Sequence, residues 1–326
     1  SLNANANALP PGKYQDTVTF TNLTTAVFTT RTVVLGVGDG VLTRHAVVVG
    51  VSDYVGTIND LDYCDDDAIE FADGLLADPR WVPANIQLLL DSAATGAAVQ
   101  AAITTMASSA DGDDLWVFFF SGHGGNTADV APLDETDGLD EFICPHDFDN
   151  ILDDVLSAWM TEIPTPFLVC FIDTCFSGGQ IKELPEGAAV KTINLDGPAS
   201  AKGDGFAADL LRATKGLKDL DDIANTVVVT ACDDDEFSIE GPTWQNGLFS
   251  YYLLEAMARS ATDTNGNGEI SAEESYVYLQ PLVVAAYPDQ HPQLHDGNCD
   301  EEADFVAAPA SDIFIDPTTL TFDCNP

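Results

Sequence analysis

The sequence predicts an α/β fold in which helices cover both faces of a mostly parallel sheet. Between residues 45 and 296, short apolar runs alternate with segments of helical spacing. The runs over 115–120 and 167–172 are apolar at consecutive positions, which is typical of strands buried on both faces. Strands that alternate with helices favour parallel order, because the chain must cross back over the sheet between them.

Local patterns predict each element in turn. Thr- and Val-rich alternation predicts antiparallel strands over 17–21 and 29–35. Thr95 is a suitable N-cap for an Ala-rich helix over 95–108. The other predicted elements are strands over 46–51, 86–90, 115–120, 167–172 and 226–230, and helices over 65–76, 247–259 and 272–286.

The 326 residues divide into one large unit with two flanks. Residues 1–40 resemble the closing strands of an immunoglobulin-like module, although they hold too few strands for a whole sandwich. We expect the α/β domain over 41–300 and a tail over 301–326 that packs back or begins another β module. Within the domain, 180–226 holds six of the eleven Lys and Arg residues, and a loop of this length predicts function or disorder.

The charge balance restricts the partners. With 54 acidic and 11 basic residues the net charge is −43, which disfavours nucleic acid and anionic membranes. Such a surface suits Ca²⁺, cationic peptides or high salt, or it serves solubility alone. No apolar run reaches the ~20 residues of a membrane span, and we expect any export signal to lie outside this sequence.

A histidine and a cysteine follow two of the predicted strands. The strand over 115–120 continues into Ser-Gly-His-Gly, which contains His123, and the strand over 167–172 into Asp-Thr-Cys-Phe-Ser-Gly, which contains Cys175. The carboxyl ends of adjacent parallel strands meet at the edge where open α/β sheets bind ligands. Since imidazole beside a thiol favours a thiolate nucleophile, the pair predicts a cysteine peptidase. Either residue alone would more often belong to a core or a turn.

The two motifs resemble those of the caspase-like cysteine peptidases, and most closely those of metacaspases and their bacterial, orthocaspase-like relatives. The resemblance extends over about 45–296 and implies a three-layer α/β sandwich. It implies that Cys175 attacks the scissile carbonyl while His123 carries the proton to the leaving amine. It further implies that the backbone N–H groups of Cys175 and Gly124 form the oxyanion hole.

The same resemblance implies the substrate preference. The run Tyr-Cys-Asp-Asp-Asp at 63–67 matches the Cys-x-x-Asp motif of metacaspases, so that Asp67 joins Asp173 in holding an Arg or Lys side chain. Two carboxylates suit such a cation through charge-assisted hydrogen bonds. The acidic run alternatively only opens a helix, where its charges face the positive end of the dipole.

A twelve-residue segment over 263–274 fits the EF-hand loop and predicts a Ca²⁺ site between two helices. We expect a structural role, because the loop is solitary, and the alternative is a turn rich in Asn and Gly. The predicted ligands are Asp263, Asn265, Asn267, the Glu269 carbonyl, Ser271 and bidentate Glu274, with Gly268 at the sharp turn.

A second Ca²⁺ site is implied by resemblance to the metacaspase segments that bind the activating ion. Asp140, Asp153 and Asp154 are the matching residues. A further family ligand a few residues past the cysteine has no match, since Lys182 and Glu183 stand there. The alternative is a solvated acidic loop.

These observations predict a secreted or extracellular bacterial cysteine endopeptidase that cleaves peptides or proteins after Arg or Lys as a calcium-supported monomer. The basic residues within 180–226 predict self-cleavage of a zymogen in that loop, or alternatively a lysine-bearing surface excursion. Two other functions stay open. One is an Asn-directed, legumain-like peptidase of the same fold, and the other is a non-catalytic calcium-binding extracellular module.

Overall fold

A computed structural model of the chain describes residue 9 and the ranges 12–21, 28–37, 42–130, 138–176, 184–193, 226–296 and 302–309. The described strands are β1 (Gly12–Thr21), β2 (Phe28–Val37), β3 (Arg44–Gly50), β4 (Ile86–Leu90), β5 (Leu115–Ser121), β6 (Gly124–Ala128), β7 (Leu139–Ile143), β8 (Ile151–Leu152), β9 (Phe167–Asp173), β10 (Ala189–Val190), β11 (Thr226–Thr230), β12 (Ile239–Gly241), β13 (Asn246–Gly247), β14 (Glu269–Ser271), β15 (Gln293–Asp296) and β16 (Asp304–Ala307). The described α-helices are α1 (Cys64–Leu76), α2 (Gly96–Ser109), α3 (Asp153–Thr161), α4 (Leu248–Met257) and α5 (Ala272–Ala286).

A six-stranded sheet forms the middle layer of the molecule. Its strand order is β15-β11-β9-β5-β3-β4, and all neighbours are parallel except β15, which runs antiparallel to β11. Every residue of β3 and β5 is buried, as the unbroken apolar runs predicted. The predicted fold class is therefore confirmed.

The two faces of the sheet carry separate cores, because alternate residues of each strand point to opposite sides. Phe118 and Phe120 pack with α2 and α3 on one face. Phe119 packs with α1, α4 and α5 on the other, where its ring stacks on Phe71 at a centroid distance of 4.4 Å. Helices on both sides of the sheet give the three layers expected of this fold.

Most predicted boundaries agree with the structure to within two residues. The Thr95 hydroxyl caps α2 by accepting the N–H of Ala98 at 3.2 Å. The Thr-rich strands pair as the antiparallel hairpin β1–β2. The predicted helix over 247–259 is shorter and begins after Gly247. Residues 310–326 of the tail, and all of 180–226 except 184–193 and 226, lie outside the described residues.

Two small sheets outside the six-stranded sheet were not predicted from the sequence. One has the order β6-β7-β8 and the other the order β10-β12-β13. Their strands are only two to five residues long, and the longer ones contain Gly, Asn or acidic residues, so none carries a recognisable apolar period. Within the described part of the chain, no helix combines the length and the apolar character needed to cross a bilayer.

Candidate active site

His123 and Cys175 lie at the same edge of the sheet, as predicted. Strands β5 and β9 are parallel neighbours whose last paired residues are Ser121 and Asp173. His123 and Cys175 each follow two positions later, where the chain leaves the sheet. The register of two buried strands thus brings the imidazole and the thiol into one site.

The imidazole of His123 is buried beside Tyr54. The Tyr54 hydroxyl accepts the backbone N–H of His123 at 2.7 Å, and the two rings lie 5.0 Å apart. The Nε2 atom lies 2.8 Å from the Asn59 carbonyl oxygen, which requires its proton to be on that nitrogen. Burial lowers the pKa of His123 to about 4, although the carbonyl groups of Asn59 and Lys191 oppose this shift. The ring is therefore neutral at pH 7.

The Cys175 thiol is also buried, and it faces the loop before β12. Its Sγ atom accepts the N–H of Ser238 at 2.9 Å and lies 3.1 Å from the Ser238 carbonyl oxygen. A hydrogen bond with Cys175 and burial together raise the pKa of the Cys232 thiol well above its usual value. Among the described contacts, the thiol is joined to this loop rather than to the imidazole.

A segment of the chain itself lies in the site in the manner of a substrate. Strand β10 pairs antiparallel with β12, and the next residue, Lys191, donates its N–H to the Ser238 carbonyl at 3.0 Å. The Lys191 carbonyl oxygen accepts the N–H of Gly124 at 3.1 Å and the N–H of Cys175 at 3.2 Å. These are the two donors predicted to form the oxyanion hole. Two residues later, Ile193 donates its N–H to the Gly124 carbonyl at 3.2 Å.

The Lys191 side chain fills an acidic pocket and has no exposed surface. Its ammonium lies 2.8 Å from Asp173 Oδ2, 2.8 Å from Ser121 Oγ and 3.1 Å from Asp67 Oδ2. Three acceptors thus match the three N–H groups of an ammonium. The structure brings Asp67 and Asp173 together around a lysine, and Asp67 also belongs to the acidic first turn of α1.

Neighbouring hydrogen bonds fix both carboxylates of the pocket. Asp67 accepts the Ser121 hydroxyl at 2.6 Å and the Gly247 N–H at 3.0 and 3.1 Å. Asp173 accepts the hydroxyls of Ser238 and Ser250, both at 2.6 Å, and the Ser250 N–H at 3.2 Å. Gly247 and Ser250 belong to the N-terminal end of α4, whose dipole favours negative charge.

The pocket carries more negative than positive charge. Glu240 is buried beside it and accepts the N–H of Asp62 at 2.7 Å and the thiol of Cys64 at 3.3 Å. Burial raises the pKa of Asp67 and the pKa of Glu240. Burial alone would lower the pKa of Lys191, but Asp173 and Asp67, with smaller help from Cys64 and Glu240, raise it well above its usual value. Because an unpaired buried carboxylate is costly, the Lys191 ammonium stabilises the buried carboxylates of this pocket.

The aspartates of the second predicted Ca²⁺ site lie near β6, the strand that begins at Gly124. Asp140 lies on β7, which pairs with both β6 and β8, and Asp153 begins α3 directly after β8. Asp140, Glu141 and Asp153 have no exposed surface, and Asp154 is half-buried. Asp140 and Asp153 are therefore not part of a solvated acidic loop, whereas the partly exposed Asp154 leaves that alternative open, and Ca²⁺ binding by these residues stays a prediction.

The 263–274 loop is a tight turn held by its own carboxylates. Gly268, at the predicted turn, and Gly266 both have positive φ, 88° and 76°. The Asp263 carboxylate accepts the N–H groups of residues 266, 267 and 268 at 2.7–3.1 Å. The Glu274 carboxylate closes the loop from its other end by accepting the N–H groups of residues 264, 265 and 271 at 2.6–3.3 Å.

The remaining predicted ligands of this loop also gather around it. The amides of Asn265 and Asn267 reach the carboxylates of Glu302 and Asp304 on the neighbouring segment. Ser271 forms a capping box with Glu274 at the start of α5, which is a role in the fold by itself. Ca²⁺ binding by these oxygens, with the Glu269 carbonyl on β14 among them, stays a prediction.

Sequence reasoning missed several residues that build the pocket. They are polar or small residues, and all except Ser121, which begins the His123 motif, lie outside the two motifs. Lys191 was only one of six basic residues in 180–226, and Gly247 was assigned to a helix. The missed residues are Ser121, Lys191, Ser238, Glu240, Gly247 and Ser250.

A thiol and an imidazole at the carboxyl edge of a parallel sheet, beside an acidic pocket, define a caspase-like peptidase. Residues 43–296 match the family model described as "Caspase domain". The chain therefore belongs to the caspase-domain family of cysteine peptidases.

Relatives and solved structures agree with this membership. The chain is 31% identical over 151 residues to Metacaspase-4 of Arabidopsis thaliana, an alignment that covers 44% of this chain and 36% of that protein. It is 33% identical over 266 residues to Metacaspase-1 of Cryptococcus neoformans, covering 76% and 56%. The chain thus spans only part of the length of these relatives. A solved Geobacter sulfurreducens protein matches with a TM-score of 0.53 and 22% identity over 78% of this chain and 92% of that one, and so shares its fold.

Proposed function

We propose that this protein is a cysteine endopeptidase that cleaves after Lys or Arg and is held inactive by its own Lys191 until it cleaves the Lys191–Thr192 bond. One observation carries the proposal. The carbonyl oxygen of Lys191 rests on the N–H groups of Gly124 and Cys175 while its ammonium rests between Asp67 and Asp173. A substrate residue before the scissile bond must satisfy both conditions at once.

The chemistry follows from these positions. His123 takes the proton of the Cys175 thiol, the thiolate adds to the Lys191 carbonyl carbon, and the negative oxygen is stabilised by the two N–H groups that already bind it. The bond to the Thr192 nitrogen then breaks as protonated His123 donates its proton to that nitrogen. Water hydrolyses the resulting thioester, which releases the Lys191 carboxylate and restores the thiol.

The contacts of the two reacting groups account for the inactive state. The Cys175 thiol is bound to Ser238, and the His123 Nε2 proton is directed at the Asn59 carbonyl. Proton transfer between them requires the thiol to leave Ser238, because the nitrogen of His123 that can accept its proton is the unprotonated Nδ1. Segment 184–193 therefore acts as a bound inhibitor in this conformation.

In our proposal Ca²⁺ is bound by the oxygens of Asp140, Asp153 and Asp154, as the resemblance to metacaspases implies. Asp140 pairs in register with Thr127 on β6, the strand that begins at Gly124. Ordering this small sheet would therefore act on one of the two oxyanion donors. In our proposal the 263–274 loop binds a second Ca²⁺ and stabilises the fold.

The full-length chain, incubated with and without Ca²⁺, tests the proposal. We expect Ca²⁺ to produce a fragment that begins at Thr192 and to start the hydrolysis of fluorogenic Lys and Arg peptides. Lys191→Ala and Cys175→Ala should yield no such fragment, whereas Lys202→Ala, another lysine of the same loop, should yield it normally.

Two outcomes would contradict the proposal. Hydrolysis of Asn peptides in preference to Lys and Arg peptides would favour the legumain-like alternative. An absence of any Cys175-dependent turnover, together with no labelling by an arginyl chloromethylketone, would favour a non-catalytic calcium-binding module.

A further inference from the structure

Gly247 forms part of the wall of the lysine pocket, at the junction of β13 and α4. Its φ and ψ angles are −59° and 141°, which any residue adopts easily. The backbone conformation therefore gives no reason for glycine at this position. The reason must lie in the space that a side chain would occupy.

That space is occupied by the Lys191 ammonium. A methyl group placed on the Gly247 Cα would overlap the Lys191 ammonium and Asp173 Oδ2, and it would lie 3.0 Å from Asp67 Oδ2. All three partners are fully buried and tied to one another, so no flexible surface group can yield to the methyl. A methyl group at the glycines at 50, 56, 74, 96, 122, 124, 138, 187, 241, 266 or 268 would not lie against that ion pair.

We propose that Gly247 is a specificity-determining residue, which keeps open the volume in which a substrate Lys or Arg is bound. The inference rests on the proposed function, in which this pocket receives the residue before the scissile bond. Gly247 contributes twice. Its N–H holds the Asp67 carboxylate, and its lack of a side chain leaves room for the cation between Asp67 and Asp173.

Gly247→Ala separates these two contributions, because alanine keeps the N–H and removes the space. A Lys or Arg side chain could then enter only by displacing a carboxylate, which breaks the buried ion pair. A small uncharged side chain of a substrate does not reach the position of the ammonium, so peptides that carry one before the scissile bond should still be cleaved. The Gly247→Ala variant should therefore lose its preference for Lys and Arg peptides but keep its ability to cleave peptide bonds.

Gly241→Ala is a matched control on the strand that pairs with β13. A methyl group there would make only ordinary contacts, at 3.4–3.5 Å, with Ala188 and Trp244. We expect Gly241→Ala to process itself and to hydrolyse Lys and Arg peptides like the parent chain. Gly247→Ala should lose about 100-fold or more of kcat/KM on Lys and Arg peptides, as expected when a buried ion pair cannot form. Its kcat/KM on peptides with Ala or Gly before the scissile bond should not fall in parallel.

A second measurement separates a blocked pocket from a misfolded chain. Iodoacetamide is small and uncharged and needs no cation pocket. Without Ca²⁺ we expect iodoacetamide to alkylate Cys175 faster in Gly247→Ala than in the parent, because Lys191 can no longer occupy the acidic pocket. Peptide mapping should find the core thiols Cys64 and Cys170 unlabelled in both proteins. Labelling of the core thiols in the variant would make Gly247 a folding requirement and would overturn its role in specificity.

The outcomes also distinguish this inference from the proposed function. If the parent chain cleaves neither Lys nor Arg peptides, the proposed function itself fails. If the parent cleaves them and Gly247→Ala cleaves them equally well, only the role of Gly247 is overturned. An equal fall on all peptides, charged and uncharged, would also overturn it, because the effect would then lie on the chemistry.

Discussion

The lysine pocket and the 263–274 loop are both built on acidic side chains, yet they satisfy these side chains in opposite ways. In the pocket, Asp67 and Asp173 are fully buried around an ammonium that the chain itself provides. In the loop, Asp263 is partly exposed and binds backbone N–H groups. In the pocket the cation that balances the carboxylates belongs to the chain itself, whereas the partly exposed loop would take its cation from solution in our proposal. The first arrangement suits inhibition by a tethered segment, and the second suits a Ca²⁺ ion drawn from solution.

The largest effect should come from breaking the buried ion pair. Asp67→Asn leaves the Lys191 ammonium with one buried carboxylate fewer, and it also weakens the acceptor of the Gly247 N–H. We expect a loss of about 3–5 kcal/mol in the free energy of unfolding of the uncleaved chain. Denaturant unfolding measures this, and Ca²⁺-induced self-cleavage should be lost in parallel.

Asp66→Asn is the matched control for this change. Asp66 is the exposed preceding residue of the same helical turn. It should cost a few tenths of a kcal/mol at most. Equal effects of the two substitutions would mean that helix opening, rather than the ion pair, is the main role of the acidic run.

Lowering the pH should reduce the stability of the fold through the buried His123 in the active site rather than through the exposed 263–274 loop. The pKa of His123 is about 4 in the folded chain and about 6.5 in an unfolded one. Between pH 6.5 and pH 4, His123 is therefore protonated in the unfolded state but neutral in the folded state. This contribution to stability is complete above pH 6.5 and is lost as the pH falls toward 4. Between pH 7.5 and 5 we expect a loss of about 2 kcal/mol.

Two variants isolate that contribution. His123→Gln should remove it from the difference in unfolding free energy between pH 7.5 and 5, whereas His291→Gln, at a more exposed position, should retain it. A pH dependence that is unchanged in His123→Gln would show that the ring is not held neutral by burial. The carboxylates of the pocket would then be the main acid-sensitive groups.

The sequence predicts the strands and the 263–274 loop better than it predicts the lysine pocket, and the reason is physical. Buried parallel strands are apolar at every position, so β5 and β9 and the residues that follow them were recognisable from local pattern. The EF-hand-like loop is likewise a local motif, because its ligands lie within twelve residues. The lysine pocket depends instead on contacts between distant residues, such as Lys191 with Asp67, which no local pattern encodes. The sequence pattern places Gly247 in a helix. Its role in the pocket could not be predicted, because that role depends on the space left by its missing side chain.

The smallest expected effect concerns the loop and tests the other half of the comparison. Ca²⁺ at ten times its dissociation constant should stabilise the chain by about 1.4 kcal/mol, if it binds the folded state alone. Glu274→Gln removes one charge from the predicted bidentate ligand and should abolish this shift in the unfolding midpoint, whereas Asp73→Asn, an exposed residue of α1, should keep it. A shift that persists in Glu274→Gln but disappears in Asp153→Asn would place the stabilising ion near β6 instead. The loop would then be a hydrogen-bonded turn, and its carboxylates, like those of the pocket, would be satisfied by the chain alone.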